Sequence, residues 1–318
     1  MSTLVSDPVH TSLNPPDCPD WLVKRSSAFE RWQLDLSPLR YAGAGSANGP
    51  IARIEHGRAL YLGATWQLCR VSLKADLKPP LSPVSAVFSA ADGSGVGKTM
   101  FEARAKAVSE ALERWAYYET RSGPDAGRYG YPVADSTKGM AAFPGLFASS
   151  ARSRAMAEAY EHYAVDSWWS GAFEHWAVEE DGFTLVFIRV PDYRGFVVLA
   201  IRRLHSGVFA AAYGTGSART RTAAVLSAKL EALRMETALE NADHPEKATG
   251  SEAALLRRAS HRGFLAVRDR LNMPPWRAAS APRLLYDGPV NGPWQQFAHV
   301  WRYAFEPVCG NALGKFAA

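Results

Sequence analysis

Asp92-Gly-Ser-Gly-Val-Gly-Lys-Thr99, running directly into Met100-Phe-Glu-Ala-Arg-Ala-Lys-Ala-Val-Ser-Glu-Ala-Leu-Glu-Arg114, is the stretch whose reading decides the fold. One reading is a P-loop, in which backbone N–H groups of a glycine-rich turn cradle phosphates, a Lys meets the outer oxygens and a Thr holds magnesium. Gly97-Lys98-Thr99 fits the end of such a loop, Pro83–Ser89 offers a preceding strand, and Phe183–Asp192 offers an acidic strand. The spacing fails by one residue. The position five before Gly97 is Asp92, whose carboxylate would repel the anion, and Gly93 makes the loop one residue too short.

The second reading moves the chemistry from the loop to the helix. At about 100° per residue, Phe101, Ala105, Val108, Leu112 and Trp115 share one side, and Lys106, Glu110, Glu113, Arg114 and Tyr117 share the other. Glu110 and Glu113 are i and i+3 neighbours, so their carboxylates can converge on one cation. Hard cations such as magnesium take oxygen ligands, often one or two carboxylates together with substrate phosphates. Taken alone, the same pattern also describes an ordinary amphipathic helix with a solvated polar face.

The pattern recurs. Within 151–169, Arg154, Glu158, Glu161 and His162 stand at the intervals of Lys106, Glu110, Glu113 and Arg114. Within 214–234, a glycine turn at Gly214-Thr-Gly again leads into a helix, with Ser227, Glu231 and Arg234 at the corresponding places. Three acid-bearing helices predict one shared acidic site.

This arrangement resembles the YcaO family of ATP-dependent enzymes that modify peptide backbone amides. Its first signature is matched by Gly95, Gly97, Thr99, Ala103, Glu110, Glu113 and Arg114. The second is matched by Glu158, Glu161 and Trp168-Trp169, and the third by Gly214, Ala224, Ala228 and Glu231. The resemblance runs from about Leu62 to the last residue and implies a lead-in segment over 1–61 and a YcaO-like ATP-binding domain over 62–318. The implied fold is mixed α+β, with largely antiparallel sheets and the signature helices around an acidic ATP/magnesium site, not a P-loop fold. The implied nucleotide ligands are Glu110, Glu113, Glu158, Glu161 and Glu231, with Glu110, Glu113, Glu158 and Glu231 on the metal.

The implied activity is that of a cyclodehydratase, forming thiazoline or oxazoline rings in a ribosomally made peptide, the chemistry of antibiotic and bacteriocin biosynthesis. The implied cofactors are ATP and Mg2+. The implied partners are the precursor peptide and, the chain being short, a leader-binding protein in trans; a homodimer is also compatible. A sister reaction of the family forms thioamides. A non-catalytic subunit that binds peptide or partner and, last, a P-loop NTPase complete the alternatives.

Val96, Lys106, Arg154 and Arg234 depart from the family pattern, and the last three bring positive charge where it has polar residues. A cation four residues before a carboxylate can pair with it or contact phosphate, which adds Lys98, Lys106, Arg154 and Arg234 as candidate phosphate contacts. No residue is singled out for proton transfer.

Composition fits this reading. The 318 residues are 47% hydrophobic, enough for a large core. Cys18, Cys69 and Cys309 are scattered, so neither a zinc site nor a disulfide framework is indicated. The N-terminus lacks the charged and apolar regions of a signal peptide and no apolar run could cross a bilayer, so the expectation is cytoplasmic with no membrane partner. The net charge of +5 is dispersed and no nucleic-acid motif accompanies it. No histidine pair has metal-ligand spacing and no nucleophile elbow is present.

Residues 1–50 read as an extended lead-in. Strands are predicted at 51–54, 64–73, 183–190, 195–201, 207–213 and 298–305, with 183–201 forming a hairpin. Trp168, Trp169 and Trp176 are the best candidates for a peptide-binding patch.

Overall fold

The computed structural model describes residues 37–79, 91–134, 138–145, 147–205, 207–242, 245–248, 250–278 and 280–308. The lead-in over 1–36, the strand expected at 83–89, Cys18 and Cys309 lie outside these residues. The chain divides into two compact units. Unit 1 comprises residues up to 83 with 90–156 and 285–304, and unit 2 comprises 84–89, 157–284 and 305–318. The strands are mostly antiparallel and joined by hairpins, as expected for a mixed α+β protein.

Among the described residues, unit 1 begins with helix α1 (Ser37–Ala44), so the stretch expected to be extended up to about residue 50 is helical over Ser37–Ala44. Strands β1 (Ile51–Tyr61) and β2 (Ala64–Leu73) form a hairpin whose register places Tyr61 opposite Ala64. The boundary predicted at 61 therefore falls between two paired strands. The turn residues Leu62 and Gly63 have φ of 51° and 70°, the left-handed pair that matches a two-residue hairpin to strand twist. Strand β3 (Gly93–Gly97) pairs antiparallel with β2 and leads into helix α2 (Met100–Thr120). A second sheet, in the order β4-β10-β9, joins β4 (Met140–Phe143), β9 (Leu284–Pro289) and β10 (His299–Phe305).

Here the structure gives the opening stretch a conformation that neither reading foresaw. Gly93–Gly97 is neither a phosphate loop nor a helix-launching turn but a strand laid directly on α2. A Cβ on Gly93 would come under 3.0 Å from the Ala107 carbonyl oxygen, and one on Gly95 under 3.0 Å from that of Ala103. The glycines exist to let strand and helix backbones touch. Thr99 then caps α2, its hydroxyl accepting from the Glu102 N–H while the Glu102 carboxylate accepts from the Thr99 N–H. As the periodicity predicted, Ala105, Val108, Leu112 and Trp115 face the core, where Trp115 meets the edge of Trp294.

Helix α3 (Ala148–Trp169) begins in unit 1 and continues in unit 2. Unit 2 carries a four-stranded sheet in the order β5-β6-β7-β8, built from β5 (His175–Glu180), β6 (Phe183–Ile188), β7 (Phe196–Arg203) and β8 (Ala211–Ala218). Asp181 and Gly182, both at positive φ, close the β5–β6 hairpin, and β6–β7 is the hairpin expected from the sequence. Strand β8 runs four residues later than predicted at its start and absorbs the Gly214-Thr-Gly stretch, again a strand and not a turn. It leads into helix α4 (Arg221–Glu240), capped by Thr220, followed by α5 (Gly250–Ala259) and α6 (His261–Leu271).

Each unit thus contains an antiparallel three-strand ladder, a glycine strand and a helix packed on it. The correspondence holds atom by atom at one constant offset. Gly214 and Gly216 meet Ala228 and Ala224 of α4 as Gly93 and Gly95 meet Ala107 and Ala103 of α2. Thr220 caps as Thr99 does.

Candidate functional site

In unit 2 the β8–α4 pair brings a strand hydroxyl onto a helix carboxylate. The Thr215 backbone N–H donates to Glu231 Oε2 at 2.7 Å. Its Oγ1 lies 3.1 Å from the same oxygen and 2.6 Å from Glu161 Oε1. A hydroxyl carries one hydrogen, so it cannot donate to both carboxylates. The node is short of one positive charge or one proton. Burial, reinforced by the charges of Glu231 and Glu158, raises the Glu161 carboxyl to about 7, with His162 and the Thr215 hydroxyl pulling the other way. Glu158 itself lies 3.7 Å from His162 Nε2, one helical turn on.

The equivalent node in unit 1 is balanced. The Ser94 N–H and Oγ lie 2.8 and 3.2 Å from Glu110 Oε2, repeating the Thr215–Glu231 geometry. Glu110 Oε1 accepts from Arg114 at 3.2 Å, so a guanidinium already neutralises this carboxylate. At the place corresponding to Arg114, unit 2 has Met235. Glu113 acts electrostatically on Tyr41 and Tyr131, raising both phenols, whose own burial is the larger cause.

Glu110 and Glu113 belong to unit 1, while Glu158, Glu161 and Glu231 belong to unit 2, where Glu161 and Glu231 meet at Thr215. Among the described residues, no group of three or more His, Cys, Asp or Glu side chains converges as a metal cage. Two carboxylates and a hydroxyl nonetheless suit magnesium, which retains waters and takes further oxygens from a phosphate. Glu161, Glu231 and Thr215 fit that cation; Glu110 already has Ser94 and Arg114 as partners.

The candidate phosphate contacts are also engaged. Lys98 Nζ sits 4.0 Å over the Trp66 ring, and Lys106 Nζ donates to the Val96 carbonyl at 2.8 Å, tying α2 to β3. Arg154 lies 4.8 Å over Phe143, and burial lowers its pKa. Arg234 follows Glu231 by one turn of α4. Of the tryptophans singled out, Trp168 is buried beneath the Arg270 guanidinium, whereas Trp176 is half exposed and stacks on Phe187.

Sequence reasoning missed Ser94 and Thr215, the hydroxyls that orient the two best-placed glutamates. The signal was present as a small hydroxyl residue flanked by glycines, Gly93-Ser-Gly95 and Gly214-Thr-Gly216, each sixteen residues before its glutamate.

No family model matches the chain, and no curated protein matches it. Among solved structures, the chain is similar to YcaO from Methanopyrus kandleri, described as bound with AMPPCP and Mg2+, at 14% identity and a TM-score of 0.46, covering 73% of this chain and 71% of that one.

Proposed function

We propose that the chain binds ATP with magnesium through its acidic helices and uses it to activate a backbone amide of a ribosomally made peptide, giving a thiazoline or oxazoline. The observation that supports this is the Glu161–Thr215–Glu231 node, where two carboxylates compete for one hydroxyl hydrogen and a divalent cation would relieve both. When bound, such a cation neutralises phosphate charge at the point of transfer. Glu161 and Glu231 would hold it, and the Thr215 N–H keeps the Glu231 carboxylate in a single orientation. A Cys, Ser or Thr side chain of the substrate adds to the preceding carbonyl carbon. That addition closes the ring and releases the side-chain proton; the former carbonyl oxygen takes the terminal phosphoryl group of ATP, ADP departs, and phosphate then leaves with the amide N–H proton to form the C=N bond of the azoline. Positioning and electrostatics carry such a transfer, so no dedicated nucleophile of the protein is required.

Under this reading a separate protein presents the peptide leader. The self-neutralised Glu110–Arg114 pair favours one further reading, a subunit whose activity depends on such a partner. Titration calorimetry of ATP with magnesium tests the claim, and substrate mass separates the chemistries: ring formation loses water, and thioamidation exchanges oxygen for sulfur. Absence of ATP binding with and without the partner rejects the enzymatic reading.

A further inference from the structure

Unit 1 holds a solvent-open cavity of about 190 Å³. The last turn of α2 supplies Glu119 and Thr120, the turns that follow it supply Asp125 and Tyr129, and the segment before β10 supplies Asn291 and Trp294. Its floor is aromatic, because Tyr129 and Trp294 line it while being only 3% and 1% exposed. Its rim is acidic, because Glu119 and Asp125 are exposed and no Lys, Arg or His is among the described residues that line it.

Most of this lining is fixed by the protein itself. The Trp294 indole N–H donates to the Val290 carbonyl at 2.8 Å, and the Thr120 hydroxyl donates to the Ala116 carbonyl at 2.7 Å. The Asn291 amide oxygen accepts from Gln295 at 2.9 Å. Tyr129 is held twice, by its carbonyl, which accepts from the buried Arg302 guanidinium at 2.8 Å, and by its ring, which meets Tyr286 edge-on at 5.5 Å. Three groups are left over. Among the described residues, the Glu119 and Asp125 carboxylates have no ion-pair or hydrogen-bond partner, and neither has the Tyr129 hydroxyl. Tyr129 is otherwise buried, yet its hydroxyl is not one of the polar atoms sealed from solvent, so it opens onto the cavity that the residue lines.

All three groups accept hydrogen bonds, and the negative end of the α2 dipole lies beside them. That charge repels an anion such as a phosphate. Two carboxylates above an aromatic floor suit an organic cation, which draws on ring faces and brings its own N–H donors. A magnesium ion instead asks for a near-octahedral set of oxygens. The volume is below the roughly 300 Å³ at which drug-sized ligands are enclosed, so the cavity takes one group the size of a side chain. We infer that it is a binding site for an alkylguanidinium or alkylammonium group, carried by a basic side chain of a peptide or by a free polyamine. The site is independent of the proposed activity.

Ligand-observed saturation-transfer NMR on the full chain tests it. The probes are Nα-acetylarginine amide and spermidine, with Nα-acetylcitrulline amide as the neutral isostere of the first. Saturable binding of a cationic probe is expected, with the citrulline analogue at least fivefold weaker. Glu119→Gln together with Asp125→Asn is expected to weaken the cation at least fivefold; both groups are exposed, so thermal unfolding should stay that of the wild type. Preference for the arginine amide assigns the site to a peptide side chain, and preference for spermidine assigns it to a polyamine. Absence of saturable binding by either cation, equal binding of the citrulline analogue, or binding unchanged in the double variant overturns the assignment. The citrulline comparison is made on the wild type and stands whatever the variant does.

Discussion

Replacing Glu161 with Gln should remove a pH dependence that the wild type carries. Burial and the neighbouring Glu231 raise the Glu161 carboxyl from the usual carboxylate range to about 7. The folded protein then keeps a proton that the unfolded chain has already released. Stability attributable to this group is complete at low pH and is lost as pH rises from about 4.5 through 7. The difference of roughly 2.5 units, at about 1.4 kcal/mol each, corresponds to about 3 kcal/mol. Partial exposure of the residue to solvent screens this toward about 2 kcal/mol. Glutamine keeps the shape, cannot ionise, and still offers an acceptor to the Thr215 hydroxyl. Urea denaturation at pH 5 and pH 8.5, in chelator to remove cations, should show Glu161→Gln gaining about 2 to 3 kcal/mol on the wild type at the higher pH and little at the lower. Parallel pH profiles for the two proteins would refute the charge-deficient node.

Other expectations follow from the same geometry. Gly216→Ala forces a methyl group under 3.0 Å from the Ala224 carbonyl, and should cost about 1 to 3 kcal/mol in a denaturant titration. Gly95→Ala should do the same through Ala103, and a neutral outcome at both sites would contradict the strand-on-helix packing. Arg270→Ala removes a guanidinium that donates to the Trp168 and Met273 carbonyls and lies between Trp168 and Trp276. It should destabilise by about 2 to 4 kcal/mol and shift tryptophan emission, and unchanged emission would argue against the sandwich. Arg114→Ala frees Glu110 Oε1 from its ion pair, so it should change stability by under about 1 kcal/mol, as partly exposed pairs do, and a larger loss would mean the pair is structural.

The sequence disclosed much of this molecule because helix periodicity is a local signal. The core face of α2, the β6–β7 hairpin and the last strand, β10, lie where alternation placed them. The glycine stretches were misread for a physical reason. A glycine that opens a turn and a glycine that admits a helix backbone leave the same letter, and only the contacts of Gly95 and Gly216 with Ala103 and Ala224 separate them. The recurrence of Glu110 at Glu231 was legible, but its meaning was not. One carboxylate has Arg114 beside it and the other has Glu161, and that contrast depends on which elements pack together. Start points also slipped where strand character is weak, as at Gly207–Ala210, because small residues carry little alternation.

The most direct test of the account is calorimetric titration of ATP into the protein with magnesium, comparing the wild type with Glu231→Gln, each first shown to be folded by circular dichroism. The account expects a saturable, magnesium-dependent heat for the wild type that falls at least tenfold in affinity in Glu231→Gln. Magnesium-dependent binding of equal strength in both proteins would contradict it.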